Sequence, residues 1–280
     1  MTSAKPSFIA VILSGILALS VFQSIVLADE LGVQADAPAR DVEAITLGAS
    51  GLFEALRSQD NQQILRGLHL TPHAERPHVF LPPIAKLAER ENLRLEALQA
   101  AERILERITC AELDPEWLAY DGRYAASCFG KVAEDSKLSS ELRVKALQTS
   151  FAILACAGKR PTEFLTDGDE AVVQAALEFF EAPISQAEKE LLVSVIDSLN
   201  NETSIQSASI VCGSQPLLEE KTKARIRELV LSKEDGSGYD RAKASICLKG
   251  PSARDRAVRR KLRKTLPRAV RNQFPHLRRP

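Results

Sequence analysis

Two stretches of the chain are near-copies of each other. Residues 93–105 read LRLEALQAAERIL and residues 142–154 read LRVKALQTSFAIL, so seven of the thirteen aligned positions are identical. Apolar residues recur in both at intervals of three and four, which is the spacing of one face of an α-helix. Similarity between helical segments is typical of stacked repeats, in which a single unit cannot bury its apolar face alone. This feature predicts an all-α fold.

Cysteine and glycine form a second recurring pattern. Four of the five cysteines stand one to three residues before a glycine: Cys128 before Gly130, Cys156 before Gly158, Cys212 before Gly213 and Cys247 before Gly250. Glycine is favoured just past the last residue of a helix, so each pair indicates a helix end. The cysteine spacings of 28, 56 and 35 residues indicate units of about 24–35 residues, with one unit lacking the cysteine.

This pattern resembles HEAT-like repeats over residues 84–253. The resemblance implies an α-solenoid of stacked helix pairs whose curved surface binds a protein or peptide. The low aromatic content of 5% is in line with helix packing through small residues. Before the repeats, we expect an N-terminal helical segment over residues 41–83. It starts with a helix that buries Ile45 and ends in a loop rich in proline and histidine.

The N-terminus resembles an export signal. Residues 8–27 are almost continuously apolar, Lys5 precedes them, and Val26-Leu27-Ala28 offers small residues for cleavage. Residues 1–28 are therefore predicted to be a signal peptide or, if retained, a membrane anchor, since about 20 apolar residues span a bilayer. Both alternatives place the rest of the chain outside the cytoplasm, in the periplasm or secreted. Residues 29–40 are predicted to be a linker.

The charge of the chain is split between its body and its C-terminal tail. The net charge is zero overall, but residues 254–280 hold nine Arg and two Lys against one Asp. Residues 254–266 have the pattern of an amphipathic helix, and residues 268–280 are predicted to be extended. The cations predicted to face an anionic membrane or envelope polymer are Arg256, Arg259, Arg260, Lys261, Arg263 and Lys264. The alternatives are a solvated terminal cap and docking on the acidic face of the chain's own body or on an acidic partner, and nucleic acid is disfavoured because the body is acidic.

The cysteines admit two disulfide pairs in an oxidising compartment. Cys110 and Cys128 are close enough in sequence to join one helical hairpin. Cys212 and Cys247 end comparable helices and could be bridged if their side chains lean together. Cys156 is interpreted as a small buried apolar residue.

Two further clusters are candidate binding sites. Trp117, Tyr120 and Tyr124 recur at helical spacing beside Arg123, and these residue types are enriched in protein interfaces; the alternative is a packed core stripe. His69, His73 and His78 lie within ten residues and are a speculative zinc or copper site.

No nucleotide-binding, nucleophile-elbow or paired-carboxylate motif is present, so neither an enzyme nor a cofactor is predicted. The prediction is a non-enzymatic binding protein with a protein or peptide partner. The alternatives are a protein of anionic surfaces that binds through the tail, and a metal protein built on the histidines.

Overall fold

A computed structural model describes residues 37–181, 183–214, 217–232, 237–250 and 252–278. Within these ranges every regular element is helical and no strand occurs, which confirms the all-α prediction. The predicted signal or anchor, residues 1–28, lies outside the described ranges. None of the described helices is long and apolar enough to cross a membrane. The chain divides into two compact units, Met1–Ala125 and Ala126–Pro280.

The described part of the first unit consists of helices joined by short turns. Its α-helices are α1 (Ala37–Arg57), α2 (Asn61–Leu70), α3 (Leu81–Ala88), α4 (Arg94–Glu106) and the one-turn α5 (Pro115–Trp117). Its 3-10 turns are Thr71–His73, Pro77–Phe80, Glu91–Leu93 and Cys110–Glu112, and a π-helical turn covers Leu118–Gly122. The next helix, α6 (Arg123–Glu134), begins in this unit and ends in the second.

The second unit continues the helical order to the C-terminus. Its α-helices are α7 (Ser140–Ala155), α8 (Glu170–Leu177), α9 (Gln186–Ser198), α10 (Asn201–Gly213), α11 (Glu220–Leu231), α12 (Gly238–Ala244), α13 (Ala253–Thr265) and α14 (Arg268–Gln273). Its 3-10 turns are Thr162–Thr166, Ser245–Leu248 and Pro275–Leu277.

A polar contact between consecutive helices recurs in both units, and we call it the first-turn clamp. A side chain near the start of one helix donates a hydrogen bond to a carbonyl oxygen in the last turn of the helix before it. The pairs are Arg94 Nε to Ala88 (3.1 Å), Arg143 Nε to Ala133 (2.8 Å), Ser204 Oγ to Val195 (3.2 Å) and Arg241 Nε to Val230 (3.0 Å). Last-turn carbonyls lack a partner within their own helix, so the clamps at Ala88, Ala133 and Val230 satisfy groups that would otherwise need water. The Val195 oxygen also accepts from the backbone N–H of Leu199.

The near-copies in the sequence are the two helices α4 and α7. Their shared arginines, Arg94 and Arg143, are first-turn clamps. Three further shared positions are buried on both helices: Ala97 and Ala146, Leu98 and Leu147, and Ile104 and Ile153. The identical positions therefore include the residues that pack one helix face into the core and the arginine that hydrogen-bonds to the preceding helix.

The predicted pair Cys212 and Cys247 forms a disulfide, with Cα atoms 5.2 Å apart. The bond joins α10 to the turn after α12. The small residues Ser207 and Ala208 on α10 are fully buried, and α10 contacts α12, so the two helices can approach closely. Ser209 adds a hydrogen bond of 2.9 Å to Asp240.

The predicted Cys110–Cys128 pair is wrong. Cys128 is a buried thiol in the middle of α6, and Gly130 continues that helix instead of ending it. Cys110 is disulfide-bonded, and so is Cys156, which was interpreted as an apolar core residue. The predicted helix end is correct at Gly158, whose φ of 70° is one that L side chains rarely adopt.

The start of the described chain also departs from the prediction. Helix α1 begins at Ala37, inside the predicted linker, and Gly48 kinks it with a φ of 65°. Leu52 and Leu56 beyond the kink are buried, whereas Ile45 before it is 72% exposed. The proline-rich stretch forms two 3-10 turns and the start of α3 instead of a loop, because proline suits the first positions of a helix.

The basic tail folds onto the second unit. Helix α13 has the predicted amphipathic pattern, with Val258, Leu262 and Leu266 buried along one side. Residues 268–278 are not extended as predicted, since α14 and the turn Pro275–Leu277 follow, and the last two residues of the predicted segment lie outside the described ranges. Phe274 and Leu277 are buried, and burial of these two apolar side chains stabilises the helical arrangement of the tail.

The clamp at Ser204 can be tested by a single substitution. Its hydroxyl proton is shared between the carbonyl oxygens of Val195 and Leu199, and the side chain is fully buried. Ser204→Ala removes this donor from both carbonyl oxygens, and among the described residues only that of Val195 keeps a partner, the backbone N–H of Leu199 (3.3 Å). We therefore expect the free energy of unfolding to fall by about 1–3 kcal/mol in urea denaturation. The control Ser198→Ala removes an exposed hydroxyl and should change it by less than about 0.5 kcal/mol. Equal effects would contradict the clamp.

The Cys212–Cys247 disulfide closes a loop of 35 residues. Loop-closure entropy predicts that Cys212→Ala with Cys247→Ala lowers the free energy of unfolding by about 3–4 kcal/mol. Chemical denaturation followed by circular dichroism measures this loss. Cys128→Ala is the control, because it removes a buried sulfur without removing a crosslink and should cost about 1 kcal/mol. A loss in the double variant no larger than in the control would show that the crosslink does not stabilise the fold.

Candidate functional site

The candidate site lies in the first unit, where the turn Pro77–Phe80 meets α5 and the π turn. His78 and Trp117 pack edge to face here, with ring centroids 5.3 Å apart and an interplanar angle of 83°. His78 is only 6% exposed, and Trp117 is half-buried. The predicted aromatic patch is thus divided, since Trp117 packs inward against a histidine.

Two buried nitrogens at this contact have no hydrogen-bond partner among the described residues. They are Nε2 of His78 and Nε1 of Trp117. A buried polar group without a partner costs about 1–3 kcal/mol, and such groups are rare in folded proteins. Burial, together with the charge of Arg76, lowers the pKa of His78, while the Glu112 carboxylate opposes this shift. The imidazole is therefore neutral at pH 7.

The π turn depends on a glycine that packs against the tryptophan. A Cβ added at Gly122 would lie 2.8 Å from Cζ3 of Trp117, which is closer than real Cβ contacts. Only glycine allows the indole ring to lie against the backbone at this point. The Asp121-Gly122 step, which could have broken the helix, instead widens it into a π turn, a feature often found at functional sites.

Outside this contact, two tyrosines face solvent on the same short segment. Tyr120 in the π turn is 72% exposed, and Tyr124 in the first turn of α6 is 49% exposed. Arg123 between them is also exposed. The three residues are thus exposed within five positions of one continuous helical segment. We call Tyr120, Arg123 and Tyr124 the tyrosine surface.

A cleft of 270 Å³ opens beside His78 and is lined mainly by polar groups, including Arg76, Arg107 and Glu112. Glu112 belongs to a capping box: its carboxylate accepts hydrogen bonds from the backbone N–H (2.6 Å) and hydroxyl (3.0 Å) of Thr109. These two bonds lower the pKa of Glu112. The cleft can therefore accept a small polar group between fixed positive and negative charges.

The three histidines predicted as a metal site do not converge. His69 lies exposed at the end of α2, His73 is half-buried in the next turn, and His78 packs against Trp117. Among the described residues, no three His, Cys, Asp or Glu side chains are placed to hold a metal ion. Pro72 and Pro77, which lie between the histidines, belong to two separate 3-10 turns, so His73 and His78 are on different turns.

The predicted cations of the tail divide into two groups. Arg256, Arg260, Lys261 and Lys264 are exposed on α13, whereas Arg259 and Arg263 are half-buried. Arg259 donates a hydrogen bond to the carbonyl oxygen of Leu248, so it binds its own unit.

Ser245 and His276 form a pair that the sequence analysis missed. The Ser245 hydroxyl lies 2.8 Å from Nε2 of His276 and donates to the carbonyl oxygen of Ala242 at 2.7 Å. Burial and the positive charges of Lys249 and Arg259 lower the pKa of His276 to about 4. Ser245 is fully buried, so this pair attaches the C-terminal turn to α12 and does not form an accessible nucleophile.

Protonation of His78 can be followed through Trp117, the single tryptophan of the chain. An imidazolium ion in contact with an indole quenches its fluorescence, so we expect emission to fall as the pH is lowered, with a midpoint below 6.5. The folded state binds this proton less readily than the unfolded state. The associated stability is therefore complete above pH 6.5 and is lost as the pH falls towards the folded-state pKa.

The control for this titration is His78→Gln, in which the acid quenching should disappear. His69→Gln, which changes an exposed histidine, should leave the titration curve as it is. A curve unchanged by His78→Gln would contradict the proposed contact.

No protein-family model, curated protein or solved structure matches the chain. Its site is therefore interpreted from its own residues. Among these residues, those of the tyrosine surface have large, exposed side chains, and the π turn beside them packs on Trp117.

Proposed function

We propose that this chain is an exported, non-enzymatic helical-repeat protein that binds a protein or peptide partner outside the cytoplasm. One observation carries the proposal: Tyr120 and Tyr124 are exposed at 72% and 49% on a turn held in place by buried contacts. Tyrosine and arginine are enriched at the centres of protein interfaces, because they combine a large contact area with a polar group.

The support beneath the tyrosine surface favours binding without reorganisation. Trp117 packs on Gly122 and against His78, so the π turn is fixed from the inner side. A surface that is ordered before binding loses less conformational entropy when the partner arrives. The cleft beside His78, on the histidine side of its contact with Trp117, offers charged groups to a polar side chain of a partner.

Two further observations support the remaining parts of the proposal. The disulfide-bonded cysteines fit an oxidising compartment, which is where an export signal would deliver the chain. The first-turn clamps recur between consecutive helices of both units, as expected of a repeat built by duplication of a helix pair.

Photocrosslinking at the tyrosine surface tests the proposal. Benzoylphenylalanine is placed at Tyr120 in the full chain and, as a control, at Tyr239, an exposed tyrosine of the second unit. In the native compartment we expect one defined protein adduct from position 120 and none of that mass from position 239. The adduct should also form when irradiation is carried out at high salt, because aromatic contacts are insensitive to screening.

The identified partner segment then allows a titration. Tyr124→Ala should weaken its binding by about tenfold or more, as expected for an interface hot spot, whereas Tyr239→Ala should not. Identical adducts from both positions, or a dissociation constant unaffected by Tyr124→Ala, would refute the proposal.

A further inference from the structure

Helix α13 presents a continuous basic face to solvent. Arg254, Arg256, Arg260, Lys261 and Lys264 are all exposed. At 100° per residue, these five cover an arc of about 160° on the side opposite the buried stripe, over a length of about 15 Å. We call them the α13 basic face.

The charge of this face is not compensated within the described parts of the chain. No described carboxylate lies within ion-pair distance of any of the five cations. The single acid of α13, Asp255, is buried and accepts a hydrogen bond of 2.7 Å from Nε of Arg227. The face therefore carries five positive charges and no negative one.

The opposite side of α13 is already occupied. Val258, Leu262 and Leu266 are buried in the second unit, and α13 packs against α11. A helix that lies in a membrane interface needs its apolar side free to enter the lipid. This helix has only its charged side free, so it can bind a surface through charge without inserting into it.

We infer that the α13 basic face docks on the anionic headgroups of a lipid bilayer. Cations near such a surface are attracted by its negative potential, and several in one row act together. Two features of the chain favour lipid over nucleic acid. Its disulfides fit an oxidising compartment, where nucleic acid is scarce, and the apolar residues 8–27 bring the chain to a membrane whether or not they are cleaved.

Vesicle binding of three full-length proteins tests this inference. The first is the wild type, and the second carries Arg256→Gln, Arg260→Gln and Lys264→Gln. The third is a matched control with Arg90→Gln, Arg103→Gln and Lys137→Gln, which loses the same charge from exposed positions elsewhere. Because all six side chains are exposed, the three proteins should melt at similar temperatures.

Each protein is floated with vesicles of equal parts phosphatidylglycerol and phosphatidylcholine, and with phosphatidylcholine alone. The apolar segment 8–27 is present in all three, so its contribution cancels in the comparison. At about 0.01 M salt, we expect the α13 variant to partition onto anionic vesicles about a hundredfold more weakly than the wild type, at about fivefold per cation. The control variant should stay close to the wild type. The difference should shrink at about 0.15 M salt, where the screening length falls to about 8 Å.

Two outcomes would overturn the inference. The first is equal binding of the α13 variant and the control variant to anionic vesicles. The second is tighter binding of the wild type to a DNA duplex than to anionic vesicles at the same salt, which would make nucleic acid the ligand of this face.

Discussion

The fold depends on a polar contact that recurs between consecutive helices, the first-turn clamp. Each helix ends with carbonyl oxygens that its own backbone cannot satisfy, and burial of that end against a neighbour would leave them without water. A side-chain donor near the start of the next helix supplies the missing hydrogen bond, from a position only a few residues further along the chain. At Arg143 the same guanidinium also binds the carboxylate of Asp167, so the clamp brings the start of α8 to the start of α7. Arg241 is also buried, and burial lowers the pKa of its guanidinium. Its Nε donates the clamp hydrogen bond to the carbonyl oxygen of Val230.

Much of this arrangement could be predicted from the sequence, because the spacing of apolar residues indicates which helix faces are buried. The all-α class, the identical positions of α4 and α7 and the amphipathic α13 were predicted from spacing, whereas Cys212–Cys247 was one of two predicted pairs, of which the other is wrong. The clamps were missed because arginine near a helix start is usually solvated. A usable signal exists, since Ser139, Asn200 and Ser237 cap their helices four residues before Arg143, Ser204 and Arg241.

The errors share a physical cause, which is that spacing along a sequence does not determine the path of the backbone. The kink at Gly48 turned Ile45 away from the core, and Gly130 continued a helix that glycine was expected to end. The π turn at Leu118–Gly122 moved Trp117 from the predicted patch into contact with His78. This contact joins residues far apart in sequence, so no local pattern could have indicated it. The residue types of the candidate site could therefore be predicted from the sequence. Which of its aromatic rings are buried and which are exposed could not.

The clamps also bear on how quickly this chain can reach its folded state. They join residues only 6, 9, 10 and 11 positions apart, so each requires the closure of a very short loop. In small single domains, such local contacts lower the contact order and speed folding. Each helix pair can close before distant parts of the chain have met. We therefore expect the oxidation of Cys212 and Cys247 to join helices that local contacts have already brought together.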